Sequence, residues 1–311
     1  MEDTQFYTRV RRMKRIIVAA VFALILLLAC LCAVLAWQNA RGRAALGLLQ
    51  QQLQQAAQAA RAEPPDAQQP EEQPTAQSGE QALSLAYQSL YPELTVEPQP
   101  LAVPAEGTIY LTFDDGPSQN TPELLDVLDE YGVKATFFVV GNQVDRYPEL
   151  LREIADRGHT IGVHSDCHEY RTIYASVEAF LQDFAGVVQK TEAITGQTVR
   201  LFRFPGGSIN GYNRDIYMPL IAEMLRRGYV YHDWNVSAED ASSKGKTAAQ
   251  IAQAVEQQAG RHSYSVALLH DASGRQTTVQ ALRQLIPLLQ QQGYTFEPLD
   301  ASVQPIIFAY D

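Results

Sequence analysis

Short apolar runs alternate with amphipathic stretches through the later two thirds of this 311-residue chain. The runs are rich in β-branched and aromatic residues, as buried strands are, and lie near 108–113, 134–140, 159–163, 200–204, 229–236, 265–270 and 294–297. The stretches between them have helical periodicity and lie near 121–131, 147–157, 176–195, 213–227, 247–260 and 277–291. A repeated strand and helix order predicts a parallel sheet, and seven strands are enough to close or nearly close a barrel. An open doubly wound sheet has the same periodicity and is the alternative.

The longest apolar run comes before these elements, over residues 16–37. It contains no charged side chain and is long enough to cross a hydrocarbon core of about 30 Å as a helix. Five basic residues and two acidic ones precede it, so residues 1–15 are a basic tail that we expect in the cytoplasm. The pattern predicts a single-pass protein of the cell membrane whose remaining chain lies outside the cell.

Two other interpretations of the same run stay open. A cleaved signal peptide would also begin with basic residues, although its apolar region is usually only about 7 to 15 residues long. Residues 27–30 end in Cys30 and resemble a bacterial lipobox, in which that cysteine would carry a lipid. The apolar residues that continue to Trp37 favour an uncleaved helix over both.

The composition of the chain changes again after the apolar run. Residues 38–62 are rich in Ala, Gln and Leu and predict a helical stalk. Residues 63–104 form a linker that is mostly Pro, Gln, Glu and Ala at its start and has one short helical segment near 81–96. The folded domain is expected over 105–300, followed by a C-terminal tail over 301–311.

Charge and cysteine content narrow the range of possible functions and sources of stability. The formal net charge is −11, and the basic tail leaves the rest of the chain more acidic still, which excludes nucleic acid as a partner. Two of the three cysteines lie in the apolar run, and only Cys167 lies in the domain. The domain therefore has no internal disulfide and depends on its core for stability.

Two adjacent carboxylates, Asp114 and Asp115, end the first apolar strand and precede Gly116 and Pro117. A Gly-Pro turn leaves both side chains exposed at the end of a strand. One carboxylate can then bind a metal ion while the other stays free as a base. An ordinary solvent-exposed turn has the same composition, so this motif indicates a catalytic site only together with the motifs that follow it in the chain.

Two histidines, His164 and His168, follow the strand predicted over 159–163. Positions four apart share one face of a helical turn. Two neutral imidazoles and one carboxylate form the three-ligand set of a catalytic zinc site, which keeps one coordination position open for water. Histidines that only decorate the surface are the competing interpretation of this spacing.

Three further clusters follow or overlap predicted strands, at 203–207, 233–240 and 268–271. The five clusters together, in this order, resemble the motifs of the NodB-homology polysaccharide deacetylase family over residues 105–300. All five lie at the C-terminal ends of predicted strands, the face on which barrel enzymes build their sites. The resemblance implies a distorted (β/α) barrel of about seven parallel strands that removes acetyl groups from N-acetylated sugars in polymers such as peptidoglycan or chitin.

The resemblance also implies roles for individual residues. Asp115, His164 and His168 would hold a divalent metal ion, and their nitrogen and oxygen atoms suit zinc best among the divalent metals. Asp114 would take a proton from water as general base. His270 would donate a proton to the departing sugar amine.

Supporting roles follow from the same resemblance. The guanidinium of Arg203 is expected to pair with the base through a bidentate contact, with a salt bridge that only closes the barrel rim as the alternative. Either Asp240 or Asp233 would orient the general acid. A backbone N–H near Gly206 would stabilise the charge on the tetrahedral oxygen. Trp234 would line the sugar groove, although packing in the core is an equal alternative.

Two positions depart from the family pattern. Gly206 stands where many members have an aromatic residue, which predicts an intact backbone donor in a wider groove. Ser237 stands where many members have an acidic residue, which leaves the partner of the general acid open. The remaining conspicuous residues are expected to be structural or to lie on the surface: His159, His232, His262, Cys167 as a packed thiol and Asp271 as a turn cap.

Two other functions compete with N-deacetylation. A catalytically silent module for sugar binding or wall anchoring would keep the metal ligands, but the presence of both Asp114 and His270 argues against it. An O-acetyl esterase acting on acetylated xylan-type polymers would use the same attack on an ester. An enzyme tethered to the outer face of the membrane meets the wall of its own cell, so peptidoglycan is the expected polymer.

Overall fold

Eight parallel strands form one sheet in the computed structural model, which describes residues 85–241 and 245–309. The strands are β1 Thr108–Asp114, β2 Thr136–Val140, β3 Thr160–Ser165, β4 Leu201–Phe202, β5 Val230–Tyr231, β6 Val236–Ser237, β7 Tyr264–His270 and β8 Thr295–Phe296. Their spatial order is β5-β4-β3-β2-β1-β7-β6, and β8 pairs with the start of β1. One strand predicted over 229–236 is in fact two short strands, β5 and β6.

The sheet has to curl because its two end strands are close in the chain. Strands β5 and β6 lie at opposite ends of the strand order, yet only residues 232–235 separate them. Seven strands laid flat at a spacing of about 4.8 Å would put the end strands about 29 Å apart. Five residues of fully extended chain cover at most about 18 Å. The sheet is therefore a curled barrel rather than a flat doubly wound sheet, and within the described residues no pairing joins β5 to β6.

Helices connect the strands as the periodicity predicts. They are α1 Thr121–Glu130, α2 Gly141–Arg146, α3 Pro148–Asp156, α4 Tyr170–Ile173, α5 Val177–Thr195, α6 Tyr217–Arg226, α7 Ala248–Ala259 and α8 Gln276–Gln291. The longest, α5, begins where the Ser176 hydroxyl accepts a hydrogen bond from the Ala179 N–H at 3.2 Å and ends at Gly196 with φ 66°. The short helices α2 and α4 have no sequence prediction, since four to six residues are too few to show a period.

The two faces of the sheet carry different cores. Every residue of β1 is buried, and alternate ones such as Leu111 and Phe113 pack in the large cluster with the helices. Tyr110 points the other way, into a smaller cluster inside the curl with Phe138, Leu201, Val266, Leu299, Ala301 and Val303. Asp114 has the same parity as Tyr110, so its side chain also points into the curl at the C-terminal end of the strand.

The segments on either side of the predicted domain pack against it. Val303 forms a bridge with Ala102, and the Phe308 N–H donates to Asp233 Oδ2 at 2.7 Å, so the C-terminal segment up to residue 309 is part of the folded unit. Arg227 is 1% exposed and donates to the carbonyl oxygen of Leu90 at 2.8 Å. The folded unit thus begins before residue 105 and continues past residue 300.

The predicted basic tail (1–15), membrane helix (16–37), stalk (38–62) and first part of the linker lie outside the described residues. Cys30 lies there too. None of the helices in the described ranges has the length and apolar character needed to cross a membrane.

Candidate active site

The first two candidate residues diverge at the end of β1. Asp114 is its last residue and is 3% exposed, whereas Asp115 follows it with a φ of 73° and is half-buried at the rim. A positive φ is uncommon outside glycine and is often found at functional sites. The turn therefore sends one carboxylate into the curl and leaves its neighbour open to solvent.

A buried carboxylate holds the loop that follows β1. Asp271 accepts hydrogen bonds from the Ser118 hydroxyl at 2.6 Å and the Thr121 hydroxyl at 2.5 Å, and its own N–H donates to the Asp114 carbonyl at 2.8 Å. A Cβ at Gly116 would lie 2.5 Å from Asp271 Oδ2, so the loop needs glycine there. These contacts fit the structural role predicted for Asp271.

The two histidines meet across a loop and not along a helix. His164 lies inside β3, and His168 lies in the loop after it with a φ of 58°, so the expected helical turn is wrong. His168 Nε2 is 3.3 Å from Asp115 Oδ1, and His164 Nε2 is 3.9 Å from the same oxygen. The loop nevertheless brings together Asp115, His164 and His168, the three side chains that the helical interpretation grouped.

The tautomer of His164 follows from its partner. Its Nδ1 lies 2.8 Å from the Arg203 carbonyl oxygen, which only accepts, so Nδ1 carries the proton and the Nε2 lone pair faces Asp115. Burial lowers the pKa of His164 to about 3. The ring is therefore neutral at physiological pH, which is the form that binds metal.

Asp183 of α5 holds the loop that carries His168, and sequence reasoning missed it. Its carboxylate accepts from the Asp166 N–H and the Cys167 N–H at 2.9 Å each, and from the Ser165 hydroxyl at 2.7 Å. The Ser165 oxygen in turn accepts from the His168 N–H at 2.8 Å. His168, whose backbone is in the left-handed region, is thus held in place by α5 through Ser165.

These donors fit a divalent metal ion. One ligand atom each from Asp115, His164 and His168 lies within 4.8 Å of the others, and the half-buried Asp115 and His168 leave the cluster accessible. One carboxylate oxygen and two imidazole nitrogens suit zinc or another divalent transition metal.

Arg203 joins the site to the inside of the barrel. The side chain is fully buried, and its Nη1 donates to Asp114 Oδ1 at 2.9 Å and to the Thr112 hydroxyl at 2.7 Å. Its other nitrogens donate to the carbonyl oxygens of His232 and Asp233. The predicted pairing with Asp114 is present, but it is a single hydrogen bond and not the bidentate contact expected.

Burial and Arg203 act in opposite directions on the buried carboxylate. Burial raises the pKa of Asp114, and the neighbouring Arg203 charge offsets part of that rise. The guanidinium occupies Oδ1, and Oδ2 has no hydrogen-bond partner among the described residues and lies 3.8 Å from His164 Nε2.

His270 ends β7 directly beside Asp114 in the sheet register. Its Nδ1 lies 2.7 Å from Asp240 Oδ1, and its N–H donates to Asp240 Oδ2 at 2.9 Å. Burial lowers the pKa of His270, but the hydrogen bond and charge of Asp240 outweigh burial and hold the pKa above its ordinary value. Asp233, the alternative partner, accepts instead from Ser208 and from the Phe308 N–H.

The space beside Gly206, where a wider groove is expected, borders another aromatic ring. A Cβ added at Gly206 would lie 2.9 Å from the Tyr170 ring, so a ring from another part of the chain already takes that space. Gly206 is exposed with a φ of 75°. Trp234 is half-buried and packs edge-on against Phe308 at 4.9 Å between ring centroids.

The other singled-out residues have structural surroundings. Cys167 is a half-buried free thiol against the core, and burial raises its pKa. His159 and His232 are buried, and His262 is exposed. His159 Nδ1 accepts from the Ala135 N–H at 3.1 Å. These positions match the structural or surface roles predicted for them.

The three converging donors lie next to a buried carboxylate and a histidine at the C-terminal rim of a parallel barrel, an arrangement typical of metal-dependent hydrolases. Comparison with known proteins specifies the class. The polysaccharide deacetylase family pattern matches residues 102–225. The chain belongs to this family.

Relatives of the chain include two deacetylases of bacterial cell walls. It is 32% identical to a peptidoglycan-N-acetylglucosamine deacetylase of Bacillus cereus, over 65% of this chain and 73% of that protein. It is 35% identical to the peptidoglycan-N-acetylmuramic acid deacetylase PdaA of Bacillus subtilis, over 63% of this chain and 71% of that protein. The crystal structure of the catalytic domain of a peptidoglycan N-acetylglucosamine deacetylase from Eubacterium rectale superimposes with a TM-score of 0.65 at 40% identity, covering 68% of this chain and 97% of that one.

Proposed function

We propose that the protein is a metal-dependent hydrolase that removes N-acetyl groups from amino sugars of peptidoglycan. The observation that carries the proposal is the convergence of Asp115, His164 and His168 on one point, with Asp114 and His270 next to it. The relatives in Bacillus and Eubacterium that are named for peptidoglycan deacetylation support the choice of polymer.

A divalent metal ion would be held by Asp115, His164 and His168. When bound there, zinc would supply a Lewis acid that polarises the acetyl carbonyl and lowers the pKa of a coordinated water. The proton on His164 Nδ1, held by the Arg203 carbonyl, keeps the His164 lone pair directed at that position.

Asp114 and His270 move the protons. Asp114 Oδ2 accepts a proton from the attacking water while Oδ1 stays on Arg203. The water oxygen bonds to the acetyl carbon, and the carbon–nitrogen bond then breaks. His270 donates its proton from Nε2 to the leaving nitrogen, since its Nδ1 is occupied by Asp240. The products are acetate and a free amino sugar.

The loop at residues 205–207 supplies a donor for the charge that develops on the acetyl oxygen. The Gly206 N–H has no hydrogen-bond partner in the described part of the chain, and Gly206 is an exposed residue. The loop itself is fixed, because the Pro205 carbonyl accepts from the Tyr174 hydroxyl at 2.8 Å and from Asn210 Nδ2 at 3.1 Å. Such a fixed donor is worth about 3 to 4 kcal/mol in comparable sites.

The cellular location belongs to the same proposal. An apolar helix over 16–37 with a basic tail before it would place the active site on the outer face of the cell membrane, facing the wall. Protease added to intact cells would then remove the folded domain, and protection of the domain until the cells are lysed would contradict this placement.

The function is tested by measuring acetate release from purified peptidoglycan, chitin oligomers and acetylated xylan. We expect release from peptidoglycan to exceed release from xylan, and mass spectrometry of the digested wall then shows which sugar has lost an acetyl group. The variant Asp114→Asn should lower turnover by roughly 10² to 10⁴. The exposed Asp126→Asn is the matched control. Preferential release from xylan would favour the O-acetyl esterase instead.

A further inference from the structure

A row of aromatic rings leads from the metal ligands to the surface. The Tyr170 ring packs edge-on against the His168 ring with centroids 5.4 Å apart, and the Tyr212 ring lies 5.0 Å from the Tyr170 ring. Tyr212 is 55% exposed, and it is the one aromatic residue among the exposed large hydrophobic side chains of the described chain. A single exposed apolar side chain is ordinary, but one that continues a row of rings from a catalytic centre is not.

The segment that presents Tyr212 is fixed to the active-site loop. The Tyr212 N–H donates to Asn210 Oδ1 at 2.8 Å. The amide of Asn210 donates to the carbonyl oxygens of Pro205 and Gly207 at 3.1 Å each. One asparagine therefore ties the exposed tyrosine to the loop that carries Gly206, so that the ring is held in place before any ligand arrives.

The Tyr170 ring, which packs on His168, also borders the space that a bound sugar would occupy. Tyr170 contacts the position where a side chain at residue 206 would be, so it borders the cleft at the exposed Gly206. Neither Tyr170 nor Tyr212 makes a side-chain hydrogen bond within the described residues, which leaves both hydroxyl groups available as donor and acceptor. Two amphipathic rings with free hydroxyl groups match the apolar faces and hydroxyl edges of a sugar.

From this geometry we infer that Tyr170 and Tyr212 form a binding subsite for the sugar unit adjoining the one that loses its acetyl group. The inference rests on the proposed function and adds a feature to it: the enzyme prefers polymer over single sugars because the second unit packs on Tyr212. The Tyr170 ring then separates that unit from the metal ligands and contributes its hydroxyl to the same sugar.

The test is the dependence of kcat/KM on chain length, measured with peptidoglycan glycan fragments of two, four and six sugars. Wild-type protein should gain in kcat/KM as the fragment lengthens. Tyr212→Ala should lose roughly three- to tenfold on the longer fragments, mainly through a higher KM, because the sugar loses the ring against which it packs. Tyr212→Phe keeps the ring and should restore most of the loss.

Tyr170→Phe removes only the hydroxyl and should raise KM on the longer fragments. Bound zinc is measured in each variant, because Tyr170 packs on His168. Leu225→Ala, an exposed apolar side chain on α6 outside the row, is the control and should keep the wild-type length dependence.

Tyr212→Ala with a wild-type length dependence and full zinc would overturn the subsite. A wild-type protein that releases no acetate from any fragment or from intact peptidoglycan would instead overturn the proposed function.

Discussion

The neighbouring side chains Asp114 and Asp115 have the same chemistry but differ in burial, which suits them to different roles. Asp114 lies inside the curl beside a buried guanidinium, and Asp115 lies at the rim with the two imidazoles. A metal ligand has to be reachable by the ion, whereas a base benefits from a site in which burial raises its pKa. The positive φ of Asp115 is the local feature that turns one side chain away from the other.

Arg203 is expected to be irreplaceable by lysine. Its guanidinium donates to four oxygen atoms in different directions, which a single ammonium group cannot reach at once. We predict that Arg203→Lys lowers turnover about tenfold or more at full zinc occupancy, measured as acetate release. Arg226→Lys, a surface arginine paired with Glu223, is the control. Unchanged turnover would remove Arg203 from the catalytic scheme.

The pH dependence of the enzyme should report the pair of His270 and Asp240. A general acid must carry its proton, so activity falls as pH rises through the pKa of His270, and Asp240 holds that pKa above its ordinary value. Asp240→Asn removes the charge, and we expect the alkaline limb of the pH–rate profile to move to lower pH by about one unit or more. Asp233→Asn, the other acid considered for this role, should leave the limb in place. An alkaline limb that moves in Asp233→Asn and not in Asp240→Asn would make Asp233 the partner of His270.

At the scale of elements, the candidate ligands lie in the end of β3 and in the loops after β1 and β3, and the elements behind these loops hold them in place. The five sequence clusters predict which residues gather, because the C-terminal ends of parallel strands meet on one face. Asp183 could not be found this way: it lies on α5 and its partners are 16 to 18 positions earlier, so no local period marks it. The same is true of Tyr170, whose contact with Gly206 depends on how two loops fold together.

Loss of the Asp183 anchor should weaken metal binding without removing a ligand. We predict that Asp183→Asn lowers zinc affinity roughly 10- to 100-fold, since groups that orient ligands have effects of this size. Competition with a chelating dye gives the affinity, and circular dichroism checks that the fold is kept. Asp145→Asn, an exposed acid paired with Lys190, is the matched control. Equal affinities in all three proteins would show that the loop holds its shape without Asp183.

For the whole molecule, strand alternation with helices is enough to predict a parallel sheet, and the connection between β5 and β6 explains why that sheet curls. The cause of the curl could not be predicted from the sequence, because the single apolar run over 229–236 contains two strands that lie at opposite edges of the sheet. The packing of residues 301–309 could not be predicted either, because Val303 and Phe308 lie in a segment with no helical or strand periodicity.

Two buried histidines should reduce the stability of the folded domain in mild acid. Burial lowers the pKa of His159 to about 4 and that of His232 to about 3. At these two side chains the folded state therefore binds fewer protons than the unfolded chain below about pH 6.5, so their contribution to stability is full above that pH and is lost as the pH falls.

Each buried histidine should contribute about 1.4 kcal/mol per pH unit to this loss. We predict that His159→Gln, which can still accept from Ala135, flattens the decline in the free energy of unfolding of metal-free protein between pH 6.5 and about 4. Denaturant titrations at several pH values measure it. His262→Gln, an exposed histidine, should follow the wild-type curve, and a His159→Gln curve with the wild-type slope would contradict the prediction.

The most direct test of the account is acetate release from peptidoglycan together with metal content in the same sample. We predict one zinc ion per chain, loss of release after chelation, recovery when zinc is restored, and no recovery in Asp115→Ala. Undiminished release from protein shown to be free of metal would contradict the central claim that Asp115, His164 and His168 form a catalytic metal centre.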